Sequence, residues 1–318
     1  MKIVKQLLNL LLINCSPIVQ IVRGVIMNTL IKTAIEQGLI FSILAMGVSI
    51  TFKILNFADM SAEGTFPMGA FIFAKFIMAG MPPVISTILA FLCGMIAGMI
   101  TYTLHIKLKI TALLSGILTM TIMYSFNLRI NGKSNVGLFD YGSIFENMEV
   151  IIVLILVVLI VKILMDLFLK TEIGYLLIAT GDNETLVKSL GENSNKYILI
   201  GLMISNGLVA LSGAMMAQYQ GFADSNMGTS IVVIALASII IGDTVFKKSR
   251  KLKNTTRAIV GAVAYKIIGA FAIDLGLPPQ DLKAISAMIV IIFLSYNNFS
   301  PSLIKFKKQK TEGMAVKC

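Results

Sequence analysis

The 318-residue chain is 57% hydrophobic and only 14% charged, and it carries a net charge of +11. A water-soluble domain has roughly 45–50% apolar and about 25% charged residues, so this composition, with a mean hydropathy of +0.88, excludes an aqueous globular enzyme. The positive charge does not mark a nucleic-acid binder, because the basic residues gather in short segments between apolar blocks.

The first 26 residues are basic, are broken by Pro17, and fit neither a signal peptide nor a clean span. Arg23-Gly24-Val25-Ile26 directly precedes Met27, and its codons can spell a purine-rich ribosome-binding sequence. Met27 is therefore expected to be the natural start, with 1–26 a leader segment upstream of it. Residues 27–300 are expected to form one transmembrane domain, and 301–318 a basic tail.

Apolar runs of about 20 residues cross a bilayer as helices. The pattern predicts an all-α polytopic bundle of about nine spans, within a range of about 8–10. Their approximate limits are 30–52, 56–79, 84–104, 109–129, 148–169, 196–218, 229–245, 255–274 and 282–299. Lys247-Lys248-Ser249-Arg250-Lys251-Leu252-Lys253 is the strongest basic loop, and the tail adds Lys305, Lys307, Lys308, Lys310 and Lys317. Basic loops stay in the cytoplasm, so both segments are expected inside, and the parity of the spans between them agrees. The segments then placed outside carry mostly acids, among them Asp140, Glu146, Asp224 and Asp274. The expected location is a plasma membrane, with the C-terminus in the cytoplasm.

The first stretch that breaks the lipid-solvated pattern is Asn56-Phe57-Ala58-Asp59-Met60-Ser61-Ala62-Glu63-Gly64-Thr65-Phe66-Pro67. Charged groups at membrane depth are costly and persist where they face a cavity or a partner. Gly64 and Pro67 are expected to break the helix, and the four-residue spacing of Asp59 and Glu63 to put both on one helical face. The stretch reads as a translocation-path segment or as a polar loop just outside the membrane. The path is the expectation, with Asn56, Phe57, Asp59, Glu63 and Phe66 along it. Asn56-Phe57-Ala58-Asp59 recurs as Gly221-Phe222-Ala223-Asp224, each after a span rich in small residues. With five spans from one copy to the next the copies run antiparallel, as in inverted-repeat transporters, which adds Phe222 and Asp224 to the expected path.

The second stretch is the loop 171–195. Gly181 and Gly191 bracket a short helix, with Asp182 placed to cap it, Glu184 in its first turn, and Leu186, Val187 and Leu190 on one apolar face. A helix of about two turns is unstable alone in water, so it needs a surface to dock on.

Other features carry less. Lys162 and Asp166 are expected to neutralise each other as an i,i+4 pair. Asn127 and Arg129 end a span, as partner contacts or as interface anchors. His105 is the single histidine, and Cys15, Cys93 and Cys318 have no metal or disulfide spacing. The chain has no Gly-x4-Gly-Lys-Ser/Thr phosphate loop.

The loop Ala179-Thr180-Gly181-Asp182-Asn183-Glu184 through Leu190-Gly191, the small-residue span with Gly207, Ala210, Ser212, Gly213 and Ala214, and Asn56-Phe57-Ala58 resemble the ABC importer permeases of the branched-chain amino acid and ribose branch. Leu108–Met120 and Ser125–Gly132 resemble the permeases of tryptophan/tyrosine-type uptake systems. Thr180 departs from the basic residue common in that loop. The resemblance implies that Gly181, Asp182, Asn183, Glu184, Leu186, Leu190 and Gly191 form a coupling helix seated on a separate ATPase, which holds the ATP and magnesium. It implies a homodimer of permease copies, a lipid-anchored extracellular binding protein, and an amino acid cargo with an aromatic one favoured. No cofactor, metal or nucleic acid is expected on this chain. An ion-coupled secondary transporter using Asp59 and Glu63 is the alternative, and a membrane-embedded enzyme ranks last.

Overall fold

At membrane depth the backbone has no water to bond, so apolar spans of this kind form helices. The computed structural model follows that rule and describes residues 17–146, 148–246 and 252–275, with single positions at 284, 287, 288 and 291. In chain order the elements are α1 (Pro17–Ser49), continued by a wide π-helical turn (Ile50–Ile54), and α2 (Ala62–Met78). Then come α3 (Pro83–Tyr102) with a second π-helical turn (Thr103–Lys107), α4 (Ala112–Asn131), β1 (Asn135–Gly137) and α5 (Val150–Phe168). The rest are α6 (Glu172–Asp182), α7 (Glu184–Ser189), α8 (Ser194–Gln220), β2 (Phe222–Asp224), α9 (Ile231–Val245) and α10 (Asn254–Asp274).

Every expected span up to residue 274 meets a helix. Among the described residues, six helices are long and apolar enough to cross a membrane, and they include 28–54, 83–107 and 194–220. α2 and α9 are shorter, at 17 and 15 residues. The expected leader residues 1–16, the basic loop at 247–251 and the tail 301–318 lie outside the described residues, as does 282–299 apart from single positions.

α1 and α8 form the centre. They run in opposite directions, because Ser205 donates to the carbonyl of Gly47 (2.8 Å) while Ser212 donates to that of Ile40 (2.9 Å). Lipid tails are as apolar as leucine, so membrane helices associate through close backbone approach at small residues. A side chain at Gly98 of α3 would lie 2.3 Å from the carbonyl oxygen of Leu202, and one at Gly69 of α2 would lie 1.9 Å from that of Ala210. α3 packs along α8 much as α10 packs along α1.

The two short helices start inside the bundle. The backbone of Met60 lies against Gly116 of α4, and Gly64 lies against Met120. Met120 is eight residues along α4, roughly 12 Å from its start at 1.5 Å per residue, so α2 begins well below the end of its neighbour. From the opposite end, the segment after β2 reaches the same depth: a side chain at Gly228 would lie 1.9 Å from the carbonyl of Glu63.

The ends differ in character. One is closed by the antiparallel ribbon β1–β2, where Asn135 faces Asp224 in the register. The other carries α6, α7 and two ion clusters. Lys53 holds both oxygens of Asp243 (2.7 Å), with Arg257 behind (3.4 Å). Asp166 takes Lys162 (3.2 Å) as expected, and also Lys253 (2.8 Å) and the hydroxyl of Thr255 (2.6 Å).

Candidate functional site

The segment between α1 and α2 is where the sequence expectation and the structure part most clearly. The expected span over 56–79 begins only at Ala62, because Asn56 takes a left-handed backbone (φ +51°), which a helix does not continue through. Asp59 therefore precedes the helix and does not share a helical face with Glu63. Its carboxylate accepts the backbone N–H (2.9 Å) and hydroxyl (2.5 Å) of Ser61 on one oxygen, and the amide of Asn206 (3.0 Å) on the other. Thr65 donates to Asn206 Oδ1 (2.8 Å). Asp59 is buried at 2% exposure and ties the start of α2 to the middle of α8.

Nor does the helix break at Gly64 or Pro67: α2 runs through both. Pro67 has no N–H to give the carbonyl of Glu63. Gly64 serves packing, with the amide of Asn127 donating to its carbonyl (3.3 Å).

Of the seven expected path residues, Glu63 lines a cleft beside the middle of α4. The cleft has a volume of about 300 Å³ and lies between α2, α4 and the segment after β2. Its polar lining is Glu63, Thr121, Tyr124, Ser225, Asn226 and Thr229, with Met120 and Pro67 as apolar wall. Asn56 instead donates to the carbonyl of Gly181 (3.1 Å). Phe57 is buried edge-on against His105, with ring centres 5.0 Å apart. Phe66 is fully buried and stacks on Phe41 at 6.1 Å. Phe222 and Asp224 belong to the ribbon, where Asn135 donates to Asp224 (3.1 Å). Phe57–Asp59 is not a strand, so the two copies of the repeated tetrapeptide differ locally.

The loop helix is α7, but its cap is Asn183, whose side chain accepts from Leu186 N–H at 3.1 Å. Asp182 is the last residue of α6 and does not cap it. Gly181 sits at the end of α6, where an added side chain would lie 1.7 Å from the carbonyl of Ile54. Gly191 ends the loop at φ +82°, a conformation open to glycine without strain. Glu184 pairs with Lys188 (2.7 Å) and accepts from Ser194 (2.9 Å). Lys188 first, then Ser194, holds its carboxyl below the ordinary glutamate value. The expected apolar face is split: Val187 is fully buried, whereas Leu186 and Leu190 are 51% and 66% exposed.

Asn127 of α4 is buried against α2 while Arg129 is exposed. His105 bonds the carbonyl of Ile110 (2.7 Å), and no metal-holding group of side chains occurs among the described residues. The sequence expectation omits Asn206, the pivot of the Asp59 network. Its signal was a lone asparagine in the middle of an apolar span. Tyr124, Asn226 and Thr229 had none, since the cleft exists only after the segment beyond β2 folds back on α2.

Comparison with known proteins places this geometry. Residues 30–295 match the family model described as the branched-chain amino acid transport system, permease component. A tyrosine transport system permease protein of Clostridioides difficile is 51% identical over 276 residues, covering 86% of this chain and 94% of that protein. The uncharacterized protein RP368 of Rickettsia prowazekii is 33% identical, with 85% and 98% covered. The autoinducer 2 import system permease LsrC of Photorhabdus laumondii is 26% identical, with 73% and 68% covered. Among solved structures, PsaBC from Streptococcus pneumoniae in complex with Fab shares the fold, with a TM-score of 0.52 and 17% identity over 82% of this chain and 90% of that one. The chain, a multi-pass membrane protein, belongs to the permease family of the branched-chain amino acid transport system.

Proposed function

We propose that this chain is the membrane-spanning half of an ATP-driven importer for an amino acid, with an aromatic amino acid favoured. The observation that carries the energy-coupling part is α7. It is capped at Asn183, anchored by Val187, and offers Leu186 and Leu190 to an absent surface. A two-turn helix held this firmly while showing two leucines suits a groove on a partner ATPase, and ATP and magnesium belong to that partner. On this reading ATP hydrolysis is the work of the partner and not of this chain.

The cargo follows the tyrosine transport relative. The path is the polar cleft at Glu63. Polar groups at membrane depth are unfavourable against lipid, so this face is read as closed by a second permease copy, making a homodimer. A lipid-anchored binding protein delivers cargo at the ribbon end. The α7 end is cytoplasmic, with Lys53, Lys253 and Arg257 on that side, and the C-terminus is placed there with it, in a bacterial plasma membrane. Two short helices that start at mid-depth from opposite ends support an inverted repeat and a total of about nine spans.

The ion-coupled alternative would use Asp59 and Glu63 together; Asp59 is sealed by Ser61 and Asn206, which favours its reading as a structural clamp and leaves Glu63 alone of the pair at the cleft. The test is copurification. Replacing Leu186 and Leu190 by aspartate is expected to reduce recovery of the ATPase by about tenfold or more. The melting temperature of the permease itself should not move. Full ATPase recovery with the double variant would contradict the assignment.

A further inference from the structure

We infer that the pocket beside the ribbon is a socket for a basic side chain, arginine or lysine, on the protein that delivers the cargo. The inference rests on the importer reading above and deepens it by naming the chemistry through which that partner docks.

The pocket has a volume of about 340 Å³ and lies between Phe73 of α2, the stretch after β1 and the end of α8. Four aromatic side chains line it, those of Phe73, Phe139, Tyr141 and Tyr219. Glu146 is its single charged lining residue, and no lysine or arginine stands among the described residues that line it. A cation gains from an aromatic face and from a carboxylate, and arginine takes such places more often than lysine. The hydroxyl of Tyr219 is already committed to Glu36 (3.0 Å), which leaves its ring as wall.

The walls are set by the fold and not by a partner. Gln218, itself buried, accepts the N–H of Ile144 (3.1 Å) and donates to the hydroxyl of Thr87 (3.0 Å), which ties the turn before Glu146 to the end of α8. Glu146 in turn accepts the N–H of Ser143 (3.0 Å). Leu138 donates to the carbonyl of Gly221 (2.7 Å). The ring of Phe139 then covers Gly221 so closely that a side chain there would lie 2.6 Å from it. Phe139 is nevertheless 79% exposed. A ring seated from below and bare above has the form of an interface anchor, a role in which aromatic and arginine side chains are enriched.

Charge decides what the anchor meets. Residues 138–149 carry Asp140, Glu146 and Glu149 and no lysine or arginine. Glu149 pairs with Lys32 (3.3 Å), whereas Asp140 and Glu146 make no ion pair with a described residue. Complementary charge therefore has to come from outside the described chain. Phe139 and Asp140 are both exposed beside the pocket, and a protein surface covers such a rim where a single small solute does not.

The test uses the permease–ATPase assembly in lipid nanodiscs and its binding protein released from the lipid anchor, with affinity read by biolayer interferometry at low and physiological salt. Glu146→Lys is expected to weaken binding by about tenfold or more, and Phe139→Ala by about tenfold, the size of change that anchor residues show. Glu146→Gln should weaken it less and flatten the loss of affinity with added salt. The melting temperature of the assembly should not move in any of the three. Each exposed lysine or arginine of the binding protein is then reversed to glutamate in turn, and one such variant should regain affinity for Glu146→Lys, which separates charge from misfolding. Native affinity of Glu146→Lys, or the lack of any reversed binding protein that regains it, would overturn the inference. Uptake by the native transporter that ignores ATP would instead overturn the importer reading, so the two failures are distinct.

Discussion

At the scale of single residues, Asp59 and Glu63 show how four positions separate two roles. Both are carboxylates in one polar stretch, and the sequence presents them as a pair on one face. The left-handed turn at Asn56 ends that equivalence by delaying the helix to Ala62. Asp59 turns inward to bind Ser61 and Asn206, and Glu63 turns to the cleft. A buried polar group that loses its hydrogen-bond partner costs about 1–3 kcal/mol. Asn206→Leu is therefore expected to cost about 2 kcal/mol, read as a lower melting temperature of the detergent-solubilised protein. An unchanged melting temperature would mean the clamp does not hold the fold. Residue types were legible in the sequence, because a charge or an asparagine in an apolar run stands out. Their directions were not, because which way Asp59 points depends on Asn206, which is 147 positions away.

At the scale of elements, α7 was legible as a short helix between Gly181 and Gly191, and its cap was misplaced by one residue. Asp182 and Asn183 are both good caps. The choice went to Asn183 because Gly181, wedged against Ile54, carries α6 on through Asp182. Glu184 adds a pH dependence with a definite sign. Its folded carboxyl titrates below the ordinary glutamate value of 4.5, through Lys188 and Ser194. The stabilisation is thus complete above that ordinary value and is lost as the pH falls through the lower folded one. Hydrogen exchange at the amides of α7 is expected to become less protected, after correction for intrinsic rates, as the pH drops below 4.5. Glu184→Gln should flatten that dependence. A flat profile in the native chain would show that Lys188 and Ser194 do not stabilise the folded carboxylate. The short helices α2 and α9 were legible as apolar blocks, but their deep starting points were not. Those depend on glycines that let backbones touch, such as Gly228 on Glu63, and no periodicity encodes them.

At the scale of the whole molecule, composition and apolar run length were enough to read a helical membrane protein. Helices were legible at every expected span up to residue 274 because each run must satisfy its own backbone. The cleft was only partly legible, since it lies where the segment after β2 meets α2 and α4. Seen whole, a buried core of α1 and α8 stands between the short helix α7 at one end and a ribbon at the other, with a polar cleft at the depth where two short helices begin. That arrangement fits a gated path moved from outside the chain. The most direct measurement is uptake of labelled tyrosine into proteoliposomes holding this permease, its ATPase and its binding protein. The account predicts uptake that requires ATP on the α7 side and survives collapse of proton and sodium gradients by ionophores. Uptake by the permease alone, driven by an ion gradient and indifferent to ATP, would contradict it.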